Sequence, residues 1–317
     1  MPKKKIVVIG GGNGSAISIV ALKQNLDLFD ISAVISMSDS GGSSGRLRQE
    51  FHTLPPGDIM RAVLAISKYD FPVLKKIFFG NRFSGVGKLN EHNLGNLFLI
   101  LGEQYGGDFI SALRALEQSL EAVGHVYPAT LDKTDLCAEL EDGQIVRTEA
   151  AIDKPNYDLS IKIKKVWLEP SGEIYVEAKK ALEAADYIIF SAGSLYTSVI
   201  ATILPEGMKE AIAKSKAKLV FTMGDAYVKE GETGPTSVSE VIYTLESYLP
   251  RRLDLVVFNS VQLDDTQKDM HNKKGWGSFV DDTENQTGIN IVKADYEKVE
   301  GGLCPIKLGK ILKSILI

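Results

Sequence analysis

Cysteine and histidine are scarce in this chain. Its 317 residues hold two cysteines, Cys137 and Cys304, and four scattered histidines, His52, His92, His125 and His271. Two cysteines make no disulfide framework, and neither a CxxC nor an HExxH spacing occurs, which argues against a structural zinc site. No run reaches 18 apolar residues, so no membrane-spanning helix is expected. The N-terminal MPKKKIVVIGGG has an apolar stretch of four residues before glycine breaks it, and reads as a strand rather than a signal peptide. The simplest location is the cytoplasm. Basic excess is also missing: 36 Lys and Arg against 41 Asp and Glu leave a net charge of −5, which disfavours a nucleic-acid partner. There is no GxxxxGK[ST] loop of a P-loop ATPase and no GxSxG elbow of a serine hydrolase. Internal repeats, coiled coil and low-complexity tails are absent too.

What remains is an ordinary globular composition, 44% hydrophobic and 24% charged, long enough for about two domains or for one large domain with an insertion. Residues 5–9 (KIVVI) read as a buried strand that runs directly into GGGNGS. A helical pattern follows over 16–26, then a second strand over 31–37. Strand, glycine loop, helix, strand opens a doubly wound sheet. Further helical patterns cover 59–67, 94–104 and 108–123. After Gly124 the texture changes to short alternations around Asp142-Gly143, a hairpin signal. The α/β pattern then returns, with strands at 187–191, 218–222 and 254–258, helices at 178–185 and 236–248, a late strand at 289–294 and a C-terminal helix at 306–316. Thr236 or Ser237 would cap the 236–248 helix. Residues 262–285 are polar and read as a loop or lid. The expected fold is α/β: a Rossmann-like, mostly parallel sheet flanked by helices, with a small β-rich insertion. Residues 1–125 form the first part of the core, 126–175 the insertion, and 176–317 the second part with lid-like loops.

Three glycine-rich segments carry the chemistry. In the first, Gly10, Gly11, Gly12, Asn13, Gly14 and Ser15 join strand to helix, where free N–H groups suit a phosphate. Gly10 and Gly12 fit the dinucleotide fingerprint, but Ser15 takes its third glycine position. Asp39, near the end of the second strand, keeps a nicotinamide reading open. The second segment, DSGGSSGRLR over 39–48, offers a backbone nest at Gly41, Gly42 and Gly45. Its hydroxyls are Ser40, Ser43 and Ser44, and its arginines, Arg46 and Arg48, could pair a phosphate or local acids. The third, Ala192 to Ser198 (AGSLYTS), repeats the logic at another strand end, with Gly193, Ser194 and Thr197 as its binding residues. Asp58 in LPPGD reads as a helix N-cap or a ligand residue. His92, Asn93 and Asn96 open an apolar helix, and the two asparagines can face one site.

Taken in order, GGGNGS, SDSGGSSGRLR, LPPGD, HNLGNLFL, GSLYTS and GETG resemble the gluconeogenesis-factor family, often called YvcK, which belongs with the phospholactate transferases called CofD. LCAELEDG and VWLEP extend the resemblance over nearly the whole chain. It implies a cytoplasmic Rossmann-like protein that binds a UDP-sugar, UDP-N-acetylglucosamine among them, with links to gluconeogenic growth and cell shape. The ligand expected is a nucleotide sugar or nucleotide diphosphate, and a homodimer stays open. The transferase branch instead moves a phospholactyl group from a guanosine diphosphate-type donor onto a deazaflavin. On that alternative, Asp39, Asp58 and Asp225 are the residues to hold Mg2+; on the binding reading no metal and no cofactor is required. The chain departs from the family where Ser40 replaces an acid and Ala192 a proline. SSGRLR and HNLGNLFL favour the gluconeogenesis-factor branch.

Overall fold

The computed structural model describes residues 2–85 and 87–317. Among them the strands are β1 (Lys4–Gly10), β2 (Phe29–Ile35), β3 (His125–Pro128), β4 (Asp135–Leu140), β5 (Ile145–Arg147) and β6 (Ile163–Glu169). The second half adds β7 (Tyr187–Phe190), β8 (Lys218–Met223), β9 (Ala226–Val228), β10 (Leu255–Asn259), β11 (Trp276–Ser278) and β12 (Asn290–Ala294). Seven of these make one sheet in the order β12-β10-β8-β7-β1-β2-β3, and every neighbouring pair is parallel. The chain winds outward through β2 and β3, returns, and winds the other way through β7, β8, β10 and β12. The reversal falls between β1 and β7, where open α/β sheets place their ligand crevice.

Alternation along β1 shows why both faces are covered. Ile6 and Val8 join one core with Ala16, Ile19, Met60, Val63, Leu113 and Leu308. Val7 and Ile9 join the opposite core with Ala178, Leu182, Ile212, Val241 and Leu245. A parallel sheet buried on both sides reads as a continuous apolar run, as KIVVI does. Helices Gly12–Lys23, Gly57–Ile66, Phe109–Ser119 and Pro305–Leu316 cover the first face; helices Val176–Glu183, Met208–Lys214 and Val238–Ser247 cover the second.

The insertion is a three-stranded antiparallel sheet, β5-β4-β6. Its hairpin turns at Asp142-Gly143, with Gly143 at φ 89°. It has no core of its own: Leu136, Ala138, Leu140, Val166 and Leu168 pack into the same cluster as Val7 and Phe190. Two expectations shift. All of β3 but His125 lies within the range read as insertion, yet the strand pairs with β2 as an edge of the main sheet. The 262–285 stretch is not plain loop: Asp265–Lys273 is a helix, and β11 pairs with β9. That helix buries only Gln267 and His271, so it shows no apolar period; its start is fixed by a capping box between Asp264 and Gln267.

Candidate functional site

All three glycine segments sit at the carboxyl ends of strands, around the β1/β7 switch. β1 ends at Gly10, and helix Gly12–Lys23 begins at once with Gly11 as an N-cap that offers no side-chain acceptor. Its first N–H groups stay free for a ligand or a neighbouring side chain. Gly14 explains how the first loop meets the third. A Cβ there would lie 1.3 Å from the Ala192 carbonyl oxygen, so bare backbone lets the two loops touch. The second segment starts helix Gly42–Phe51, which sequence periodicity did not show because GGSSG lacks apolar residues. Gly57 packs against it: a Cβ would meet Ser44 Oγ at 2.5 Å and Asp39 Oδ2 at 3.0 Å.

Cations gather beside the first loop. Lys75 Nζ donates to Asn13 Oδ1 at 3.3 Å. Its pKa is lowered by burial, and further by the charges of Arg61, Lys298 and Lys274. Arg61 lies 3.3 Å from Asp58 Oδ1, with its guanidinium 4.3 Å from the Phe79 ring centre. Among the described residues, no carboxylate pairs with Lys75, Lys274 or Lys298. Such a group of like charges is the complement of a polyanion.

Carboxylates gather beside the second loop. A cavity of about 360 Å³ is walled by Asp39, Gly41, Gly42, Ser43, Ser44, Gly57, Arg61, Phe79, Arg82 and Asn96, and by Glu149, Ala150, Asp153 and Lys154 from the insertion. Burial pushes Asp58 up to about 6, against the Arg61 charge, and Asp39 adds repulsion. Asp58 is not the N-cap of its helix, which is Pro56; it accepts the Gly12 N–H instead and so belongs to the first loop. Glu149 is pushed up to about 8 by burial and by Asp39. It accepts the Ser40 N–H at 3.1 Å, while Ser40 Oγ accepts the Ala150 N–H at 2.9 Å. Ser40 therefore fastens the insertion to the loop. Burial and Asp39 also raise Asp153.

His92, Asn93 and Asn96 brace this loop from behind. Ser43 Oγ accepts from Asn96 Nδ2 at 3.0 Å and lies within hydrogen-bond distance of His92 Nδ1, at 2.8 Å. Burial lowers the His92 pKa, consistent with a neutral ring. Asn93 caps helix Leu94–Gly106 by accepting the Asn96 N–H at 2.8 Å. Asn96 lines the cavity, and its Oδ1 is buried without a protein partner. Arg46 is different: it is exposed, donates to the Asn90 carbonyl at 3.3 Å and takes no part in the cavity wall. Arg48 is held by the Ser38, Asp39 and Thr134 carbonyls and by Asp135.

At the third loop, Ser194 is half-buried and Gly193 exposed, but the N–H groups of Tyr196 and Thr197 are already bound to Glu232. Asp225 is not with Asp39 and Asp58; it lies beside His271 and Glu297. Sequence reading had not singled out Arg61, Lys75, Glu149, Asp153, Glu232, Lys274 and Lys298. GETG signalled Glu232 only through resemblance, and isolated lysines carry no signal at all.

The chain is similar to known proteins over most of its length. The family model for 2-phospho-L-lactate transferase CofD matches residues 6–297. The chain is 31% identical to the gluconeogenesis factor of Listeria innocua, over 99% of this chain and 95% of that one. It is 34% identical to the gluconeogenesis factor of Bacillus subtilis, over 84% and 82%. A crystal structure of a UPF0052 family member from Bacillus halodurans superimposes with a TM-score of 0.89 at 30% identity, covering all of both chains.

Proposed function

The chain belongs to the CofD family, among its gluconeogenesis factors, and from that premise we propose that it is a regulatory protein that binds a nucleotide sugar without consuming it. The ligand we put first is a UDP-sugar, UDP-N-acetylglucosamine in particular, and the setting is control of gluconeogenic growth and cell shape in the cytoplasm. One observation carries the binding claim: Lys75 donates to Asn13 in the first loop, its pKa is lowered further by the charges of Arg61, Lys298 and Lys274, and among the described residues no carboxylate pairs with the three lysines. Such a cluster costs free energy until a diphosphate neutralises it. In this reading the diphosphate lies against the helix N–H groups that follow Gly12 and on Lys75. Asp39, Asn96 and Ser44 border the 360 Å³ cavity that takes the attached groups. Calorimetry with UDP-N-acetylglucosamine, UDP and GDP tests this. Saturable one-to-one binding of the UDP ligands, tighter than GDP, is the expected result; failure of all three to bind removes the proposal.

A second reading is favoured by one feature, the gathering of Asp39, Asp58, Glu149 and Asp153. Their donors are hard oxygens, and magnesium is commonly held by one or two carboxylates plus substrate phosphates. On a CofD-type transferase reading, Asp39 and Asp58 would hold the ion, and it would supply neutralisation of phosphate charge. Asp58 would remain oriented by the Gly12 N–H and Arg61, and protonated Glu149 would limit the repulsion around it.

A further inference from the structure

A separate cluster lies at the carboxyl ends of β8, β10 and β12. Asp225 follows β8, His271 stands in the last turn of helix Asp265–Lys273, and Glu297 follows β12. All three are buried, and one ligand-type atom from each lies within 4.8 Å of the others. His271 Nε2 is 3.3 Å from Glu297 Oε1 and 3.9 Å from Asp225 Oδ2. Asn259, the last residue of β10, sets the aim. Its amide nitrogen donates to Asp225 Oδ1 at 3.2 Å and to Glu297 Oε2 at 2.8 Å. Its oxygen accepts the Tyr296 N–H at 2.9 Å, which fixes the amide's orientation. One oxygen of each carboxylate is thereby tied to Asn259, and the other is turned toward the imidazole.

Hydrogen bonds inside the cluster leave it unsatisfied. One imidazole nitrogen carries at most one proton, so it serves one carboxylate. Glu297 Oε1 is the nearer and also receives the Gly302 N–H. Asp225 Oδ2 is buried with no partner, in a residue only 8% exposed. His271 Nδ1 likewise has no protein partner; the Trp276 ring meets the imidazole edge-on at 5.1 Å. Two buried carboxylates held side by side cost free energy unless positive charge lies between them.

We infer that Asp225, His271 and Glu297 form a binding site for a divalent transition-metal ion of the zinc class. Tetrahedral bonds of about 2.0–2.1 Å place ligand atoms about 3.4 Å apart, close to the 3.3 and 3.9 Å seen here. One imidazole and two carboxylates suit zinc, and the imidazole separates this set from the all-oxygen sets of magnesium and calcium. The three ligands are far apart in sequence, so no spacing motif reveals them. The ion would tie the end of β8 to the helix and to the segment after β12. It would also fix Lys274 and Lys298, each close in sequence to a ligand. The inference is independent of what the glycine loops bind.

The test is calorimetric titration of the chelator-treated full chain with Zn2+, and visible spectroscopy of the wild type with Co2+ as a replacement probe. One Zn2+ per chain and the intense bands of four-coordinate cobalt are expected. His271→Ala and Asp225→Asn should lose this uptake, and Asn259→Ala should weaken it about 10–100-fold through the lost second shell. Asp39→Asn should leave it unchanged. Absence of stoichiometric zinc binding in the wild type overturns the assignment. So does unchanged affinity in both ligand variants. The cobalt spectrum needs no variant to fold, and the pale spectrum of the hydrated six-coordinate ion would also overturn it.

Discussion

Glu232 caps the third glycine loop by binding Thr197: its Oε2 accepts the Thr197 N–H at 2.9 Å, and both carboxylate oxygens lie 3.1 Å from the Tyr196 nitrogen. An internal carboxylate thus occupies amides that a ligand phosphate would otherwise use. Hydrogen bonds to a charged group contribute about 1.5–3 kcal/mol each. Glu232→Ala should therefore lower stability by about 2–4 kcal/mol, read as a fall in denaturant midpoint at constant m-value. An unchanged midpoint would show that the cap contributes nothing.

Glu149 makes stability depend on pH with a definite sign. Its pKa rises from 4.5 to about 8 on folding, through burial and the Asp39 charge. The folded state therefore holds a proton that the unfolded state has released between those values. Its contribution is complete below the unfolded pKa and is lost as pH rises through the folded one, with a slope of up to about 1.4 kcal/mol per pH unit. Asp58, raised from 3.8 to about 6, acts in the same direction at lower pH. Glu149→Gln mimics the protonated acid, so the variant should gain on the wild type between pH 5 and pH 8. Urea unfolding at both pH values checks this; parallel profiles would contradict it.

Gly14 and Gly42 should respond very differently to alanine. A Cβ at Gly14 meets the Ala192 carbonyl at 1.3 Å, whereas one at Gly42 meets nothing within 4 Å and only the cost of φ +46° applies. Gly42→Ala should cost about 1–2 kcal/mol. Gly14→Ala must push two loops apart and should cost more than about 3 kcal/mol. Thermal melting of the two variants decides; equal losses would deny the contact between the first and third loops.

Lys75 faces the first loop, and Arg46 stands outside the cavity. Lys75→Ala should weaken UDP-sugar binding about tenfold or more, as loss of a charge-assisted bond of about 1.5–3 kcal/mol implies. Arg46→Ala should change it less than threefold, about 0.6 kcal/mol. Calorimetry on both variants tests the ranking, and the reverse order would move the diphosphate to the second loop's outer face.

The parts legible in sequence were those with a local cause. KIVVI followed by GGG fixes a strand and a loop, and Asp142-Gly143 fixes a hairpin, because period and turn chemistry act over a few residues. The cap of helix Val238–Ser247 was narrowed to Thr236 or Ser237 for the same reason, and Ser237 takes the role. Helix Asp265–Lys273 was hidden because only Gln267 and His271 are buried. The site was half visible. Glycines announce where backbone must come close, so the loops were found, and Asn93 and Asn96 proved to share one hydrogen-bonded brace. The cation cluster was not visible: Lys274 and Lys298 come within range to act on the Lys75 charge only after the sheet has wound in both directions. Glu149 reaches Ser40 from 109 residues away, a contact no spacing encodes.

The central claim is binding without turnover, and product analysis tests it most directly. The purified protein with magnesium is incubated with UDP-N-acetylglucosamine, and separately with a guanosine diphosphate-type phospholactyl donor and a deazaflavin, each followed by mass spectrometry. The account predicts an intact UDP-sugar that binds saturably, and no phospholactyl deazaflavin. Steady product formation in either mixture, abolished by Asp39→Asn, would contradict it.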